Sequence, residues 1–219
     1  MKKVIVLLIA FLFTTSVYAE EFTPGADFSI DNVLNFTGNS NFTDFTTNDL
    51  GAYALGAGSV FSGLDFDGDS LFEILFSIDE SLPPGGFDPG KLGVYLYEAD
   101  GNGGFTHVWH WITPEPGNSL PGLNYGDIDM DGNHEIYFGV PPAVGANDNT
   151  WGTNIFEQAA DGTFPAEPTL RWLHGMANTD NFRPASYAIA DVDGDGKQEL
   201  ITVDRGARKM TIDALTGTD

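Results

Sequence analysis

The chain has 219 residues, and its 9 Lys or Arg against 32 Asp or Glu give a formal net charge of −23. This acidity excludes a nucleic-acid backbone as the natural partner, because phosphate binding requires a basic face. The lack of cysteine excludes disulfides, thiolate metal sites and a cysteine nucleophile, while 42% hydrophobic and 13% aromatic residues are enough for a packed core.

Residues 1–19 have the layout of a secretory signal peptide. Lys2 and Lys3 form a positive start, residues 4–13 are an unbroken apolar run, and a short stretch of mostly small, polar residues leads to Ala19. The apolar run is shorter than the roughly 20 residues that span a bilayer. The sequence therefore predicts a mature chain without membrane insertion that begins at Glu20. We expect it to be secreted, at the cell surface or in the periplasm.

Residues 20–53 form an N-terminal segment without the acidic pattern that marks the rest of the chain. Within it, residues 28–36 are rich in Phe, Ile, Val and Leu, which favour strands. This stretch is a candidate strand for closing a ring of sheets.

An acidic pattern, Asp-x-Asp-x-Asp-(Gly or Ser)-x-x-Glu, occurs three times at a nearly constant spacing of about 60 residues, which indicates a repeat architecture. Acids at alternate positions of a tight loop turn their oxygens towards one point, as a hard cation such as Ca²⁺ requires. We predict three structural Ca²⁺ sites, with carboxylates from positions 1, 3, 5 and 9 and a backbone carbonyl from position 7. The predicted ligands are Asp65, Asp67, Asp69, Leu71 and Glu73; Asp127, Asp129, Asp131, Asn133 and Glu135; and Asp191, Asp193, Asp195, Lys197 and Glu199.

Two other interpretations of the acidic loops compete with this one. An EF-hand begins with the same residues but needs a Glu at position 12, where this chain has Phe76, Phe138 and Thr202. A single copy is also compatible with a solvated acidic turn. Glycine at position 6 permits a positive-φ turn, so Ser70 in the first copy predicts a looser first site.

Short apolar runs around each acidic loop predict an all-β fold. Strands are predicted after the first loop at residues 92–98 and 105–111, and after the second at residues 153–157 and 170–173. Four antiparallel strands in about 60 residues are typical of a β-propeller blade. The prediction is a partial propeller of about three blades over residues 54–219.

The loops with their flanking strands, for example residues 125–139, resemble FG-GAP or VCBS repeats. These repeats are the calcium-binding blades of integrin α-subunit β-propellers and of many secreted bacterial proteins. The resemblance implies propeller blades with structural calcium on the loop acids. Propellers of this family usually close with about seven blades. Two blades and an incomplete third are present here, so we expect an N-terminal fragment of a longer protein, with closure by oligomerisation as the alternative.

Side chains outside the loops give weaker signals. His107 and His110 are three residues apart on a predicted strand, so we expect them on opposite faces and without a shared metal. The four tryptophans are predicted to pack in the core, with stacking on sugars as the alternative. They are Trp109, Trp111, Trp151 and Trp172.

Two functions follow from these predictions. The favoured one is a secreted, calcium-stabilised β-propeller that binds an extracellular protein or glycan, for example in adhesion. The alternative is the propeller part of a secreted carbohydrate-active enzyme, such as a polysaccharide lyase or hydrolase. The sequence contains no catalytic signature, which favours binding over catalysis.

Overall fold

The computed structural model describes residues 57–79, 91–114, 121–142, 151–177, 180–206 and 208–216. These residues form eleven β-strands and contain no α-helix, so the prediction of an all-β chain is confirmed for them. No helix in this part of the chain is long and apolar enough to span a bilayer. The predicted signal peptide and the N-terminal segment at residues 20–53 lie outside the described residues.

The strands form three antiparallel sheets that follow one another along the chain. The first sheet contains β1 (Ala57–Leu64), β2 (Glu73–Asp79), β3 (Leu92–Ala99) and β4 (Phe105–Ile112), in that order. The second contains β5 (Gly122–Gly126), β6 (Glu135–Val140), β7 (Gly152–Glu157) and β8 (Leu170–Trp172). The third contains β9 (Pro184–Ala190), β10 (Glu199–Asp204) and β11 (Met210–Ala214), with β10 in the middle. Each acidic loop joins the first two strands of its sheet.

The first and second sheets pack face to face, because alternate residues on their central strands are large and apolar. Leu75 and Leu96 of the first sheet lie in one buried cluster with Ile136 and Phe138 of the second. All four side chains are at most 1% exposed. The rings of Trp111 and Phe138 meet edge to face, with centroids 5.9 Å apart. Burying a side chain of this size contributes about 1.5–3 kcal/mol, so this interface is a major source of stability.

The other face of the second sheet packs against the third sheet. Tyr137 and Ile155 from the second sheet contact Tyr187 and Leu200 from the third. The two sheets approach closely at Gly139, where a Cβ atom would overlap the Tyr187 hydroxyl. The second sheet is therefore covered on both faces.

Strand β4 contains a β-bulge at Val108. Tyr95 and Tyr97 are two residues apart on β3, yet they lie opposite His110 and His107, which are three residues apart. The extra residue restores both histidines to the same face, with His107 Nε2 and His110 Nδ1 2.9 Å apart. The prediction that they face opposite sides is therefore wrong, because strand alternation holds only where no residue is inserted.

The outer face of the third sheet is apolar and exposed in the described part of the chain. Met210 is 64% exposed, and Val203, its partner across the strands, is 46% exposed. Ile212 on the same face is 55% exposed. This face has the composition of a surface that packs against another sheet.

Candidate metal sites

The three acidic loops have the same internal hydrogen bonds. The carboxylate at position 1 accepts a hydrogen bond from the backbone N–H at position 6. The N–H of Ser70 donates to Asp65 at 3.4 Å, the N–H of Gly132 to Asp127 at 3.1 Å, and the N–H of Gly196 to Asp191 at 2.9 Å. The shared sequence pattern thus produces the same hydrogen bond between positions 1 and 6 in all three sheets.

A buried glutamate at position 9 closes each loop from the side of the sheet. Glu73 and Glu135 are 2% exposed, and Glu199 is 4% exposed. Each accepts a hydrogen bond from the backbone N–H at position 2. These donors are Phe66 at 3.2 Å, Ile128 at 3.0 Å and Val192 at 2.9 Å. The glutamate is therefore held in place by the backbone as well as by its strand.

Carboxylate oxygens gather in each loop, with the members of a group within 4.8 Å of one another. The second loop groups Asp127, Asp129 and Glu135, and the third groups Asp191, Asp193 and Glu199. The first loop forms two groups, Asp65 with Asp67 and Asp69, and Asp67 with Glu73 and Glu98. Positions 1, 3 and 9 thus come together in the second and third loops, and each group could hold a metal ion.

Some predicted ligands lie outside these groups. Asp131 and Asp195, at position 5, accept the N–H of the residue two positions later, at 2.7 and 2.8 Å. The N–H donors are Asn133 for Asp131 and Lys197 for Asp195. In the first loop the N–H of Leu71 donates in the same way to Asp69, at 2.7 Å. The role predicted for the backbone carbonyls of Leu71, Asn133 and Lys197 stays a prediction.

Two glutamates that were not among the predicted ligands lie beside the first and second loops. Glu98 belongs to a carboxylate group of the first loop, and Glu157 is a neighbour of Glu135 in the second. Glu98 on β3 lies opposite Glu73, and Glu157 on β7 lies opposite Glu135. In the third sheet the position opposite Glu199 on β11 is Ala214. The available signal was a glutamate at or next to the end of β3 and β7, in each case shortly before an Asp-Gly turn.

Burial opposes the ionisation of glutamates in and beside the first two loops. Burial raises the pKa of Glu73 to about 7, even though the Phe66 N–H opposes the rise. Burial together with the neighbouring Glu135 raises the pKa of Glu157 to about 8. The pKa of Glu98 is also raised, by burial and then by the carboxylates of the first loop. A divalent cation would stabilise the ionised forms of all these groups.

Both position 4 and position 6 of the acidic loops have positive φ, although only position 6 was expected to. Position 4 is Gly68, Met130 or Gly194, and position 6 is Ser70, Gly132 or Gly196. Ser70 has a φ of 73° and Met130 has a φ of 61°. The first two loops therefore each carry one non-glycine residue in the left-handed region, whereas the third carries none.

Replacing either of these residues by glycine is expected to stabilise the protein. The left-handed conformation costs a non-glycine residue about 1–2 kcal/mol, and glycine avoids this cost. The greater freedom of glycine in the unfolded chain offsets part of the resulting stabilisation. Ser70→Gly and Met130→Gly should each add about 0.5–1 kcal/mol in calcium-free urea unfolding. Gly194→Ala is the reverse control and should destabilise. A loss of stability in Ser70→Gly would contradict the strain argument.

Gln158 connects the first acidic loop to the second. Its Nε2 donates to the Phe66 carbonyl at 2.7 Å and to the Gly162 carbonyl at 3.0 Å. Its Oε1 accepts the His134 N–H at 3.2 Å. Phe66 is position 2 of the first loop and His134 is position 8 of the second, so one buried amide is shared between the two loops.

A buried polar network links the second sheet to the third. His174 accepts or donates at both ring nitrogens, with Nδ1 2.6 Å from Asp213 Oδ2 and Nε2 2.7 Å from Thr153 Oγ1. Thr153 also lies 2.8 Å from the Tyr187 hydroxyl. Burial raises the pKa of Asp213, but hydrogen bonds from His174 and Thr211 outweigh it and leave the pKa below its usual value. The order Asp213, His174, Thr153 resembles that of a catalytic triad. Because Thr153 is 0% exposed, its hydroxyl is closed off from solvent, and the network serves to join the two sheets.

The tryptophans divide into three core residues and one surface residue. Trp109, Trp111 and Trp151 are 8%, 6% and 6% exposed. Trp172 on β8 is 41% exposed, next to Leu170, which is 47% exposed. Core packing is thus confirmed for three of the four, and Trp172 remains available for contact with a ligand.

The donor set of the acidic loops consists of carboxylate oxygens, which suit hard divalent cations. No protein-family model matches this chain, and no curated protein sequence is significantly similar to it.

Proposed function

We propose that this chain is an exported, calcium-stabilised β-propeller module of the FG-GAP or VCBS kind that binds a glycan or a protein outside the cell. The observation that carries the proposal is a carboxylate cluster in the loop between the first two strands of each of three consecutive sheets. Isolated acidic turns are common, but three with the same hydrogen bonds indicate a shared purpose.

Calcium suits these loops better than magnesium does. Ca²⁺ accepts six to eight oxygen ligands in flexible geometry, whereas Mg²⁺ demands a tight octahedron and keeps several waters. The first loop with Glu98 offers five carboxylates within two overlapping groups. A site this rich in oxygens favours the larger ion.

The arrangement of the sheets supports propeller blades. The sheets pack face to face in chain order, and their first strands β1, β5 and β9 lie next to one another. In a propeller the first strands of the blades surround a common axis. The exposed apolar face of the third sheet, with Met210 and Ile212, is what one blade presents to the next.

Recognition rather than catalysis is supported by the surface. Trp172 and Leu170 form an exposed apolar edge on the second sheet. A large exposed aromatic ring with an apolar neighbour suits stacking on a sugar ring. His174 and Thr153 of the His174 network, in contrast, are buried between the sheets.

A binding survey tests this proposal. The labelled, calcium-loaded chain is applied to an array of extracellular polysaccharides and matrix proteins, in calcium and in EGTA. We expect binding to a glycan that is lost in EGTA and weakened at least about tenfold by Trp172→Ala, equal to about 1.4 kcal/mol.

Phe72→Ala is the matched control, because Phe72 is an exposed aromatic residue on another part of the surface, 58% exposed. It should leave glycan binding unchanged. Binding to matrix proteins alone, indifferent to Trp172→Ala, would support a protein ligand over a glycan. No binding to any array member in calcium would count against a recognition module.

A further inference from the structure

The two histidines on the edge of the first sheet form a pair of nitrogen donors separate from the acidic loops. The bulge at Val108 places both imidazoles on one face of β4, the last strand in the order of the first sheet. His107 Nε2 and His110 Nδ1 lie 2.9 Å apart. His110 is exposed and His107 is half-buried, so ions from solution can reach the pair.

Neighbouring aromatic rings hold the two imidazoles in place. His110 stacks on Tyr95, with centroids 5.4 Å apart and ring planes 12° apart. Tyr95 in turn stacks on Phe76, at 5.8 Å and 14°. His107 meets Tyr97 edge to face at 5.3 Å. Because both rings are already positioned, little side-chain entropy remains to be lost when they bind an ion.

We propose that His107 and His110 together bind one transition-metal ion of the Zn²⁺, Ni²⁺ and Cu²⁺ class, with water completing the coordination shell. Two imidazole nitrogens that share a tetrahedral zinc ion at about 2.0–2.1 Å lie about 3.3 Å apart. The observed 2.9 Å reaches that separation with a shift of a few tenths of an ångström. The net charge of −23 raises the local concentration of any cation.

The chemistry of this pair differs from that of the acidic loops. Imidazole is a borderline ligand that suits zinc, copper and nickel, whereas calcium prefers oxygen. The two kinds of site therefore select different ions, and each can be occupied without the other. The competing interpretation is a plain hydrogen bond, in which one ring donates to the other and no ion is bound.

A metal titration separates these interpretations. The untagged, full-length chain is first saturated with calcium, so that the acidic loops are filled, and is then titrated with Ni²⁺ and Cu²⁺ by calorimetry. We expect one ion per chain, with Cu²⁺ tighter than Ni²⁺ and Zn²⁺, as the general order of affinities requires. The Cu²⁺ complex should show coupling to two nitrogen ligands in its electron paramagnetic resonance spectrum.

The variants His107→Gln and His110→Gln should each weaken binding at least tenfold. His134→Gln is the matched control, because His134 lies in the second acidic loop and outside the pair. Melting curves in calcium confirm that the variants are folded. Equal affinity in His107→Gln, His110→Gln and the unchanged chain would overturn the proposal, as would a loss in His134→Gln of the same size. No saturable binding in the unchanged chain would leave the plain hydrogen bond as the correct interpretation.

Discussion

Removal of calcium from the three loops is expected to lower the melting temperature of this protein by about 16–32 °C. Each ion that binds only the folded chain stabilises it by about 2.7 kcal/mol at a hundredfold excess over its Kd. For a domain of this size, each kcal/mol shifts the melting temperature by about 2–4 °C. The measurement is a thermal melt by circular dichroism in calcium, in magnesium and in EGTA, and magnesium should restore little of the loss.

Single substitutions assign this calcium effect to the loops. Asp129→Ala and Asp193→Ala each remove a member of one carboxylate group, so each should abolish about a third of the EGTA effect. Asp100→Ala is the matched control. Asp100 also accepts backbone N–H groups in an exposed turn, from Asn102 at 2.7 Å and Gly104 at 2.9 Å, but lies outside the acidic loops. It should destabilise the protein equally with and without calcium. A melt that EGTA leaves unchanged would show that the loops are only acidic turns.

Replacement of His174 by leucine is expected to destabilise the protein by about 2–4 kcal/mol. The ring is fully buried and bonded at both nitrogens, so leucine removes one hydrogen-bond partner from the Asp213 carboxylate and one from the Thr153 hydroxyl. A buried polar group that loses its partner costs more than the net value of the bond. Urea unfolding in calcium measures the change.

The pairwise contribution can be isolated with a double-mutant cycle. Asp213→Leu should be strongly destabilising alone, and the combination with His174→Leu should cost less than the two single changes together. Val60→Ala is a surface control, since Val60 is 61% exposed and its change should stay within about 0.5 kcal/mol. Strict additivity of His174→Leu and Asp213→Leu would contradict the network.

The sequence predicted most about the site where the same acidic residues recur at a nearly constant spacing. The three acidic loops could be located because Asp at alternate positions followed by Glu is rare by chance and occurs three times. The strands beside them followed from short runs such as residues 136–138. In the first two sheets each strand pairs with the next one along the chain, which is the arrangement that consecutive strands most often adopt.

The remaining features depend on register, which no local pattern specifies. Nothing in the sequence around Glu98 marks it as a ligand. It joins the first cluster only because β3 pairs with β2 at Glu73. The His107 and His110 pair depends on one inserted residue in β4. Met130 has positive φ although nothing in its side chain favours that conformation. Pairing across strands is a long-range property, so these features required the structure.

The shared amide of Gln158 has a consequence for local unfolding. Fraying of either the first or the second acidic loop would leave part of this buried amide without its partner, at Phe66 or at His134. An unsatisfied buried group costs about 1–3 kcal/mol, a penalty added to that of opening the loop itself. We therefore expect the ends of the first two sheets to resist opening singly and their amide protons to exchange with solvent as one cooperative unit.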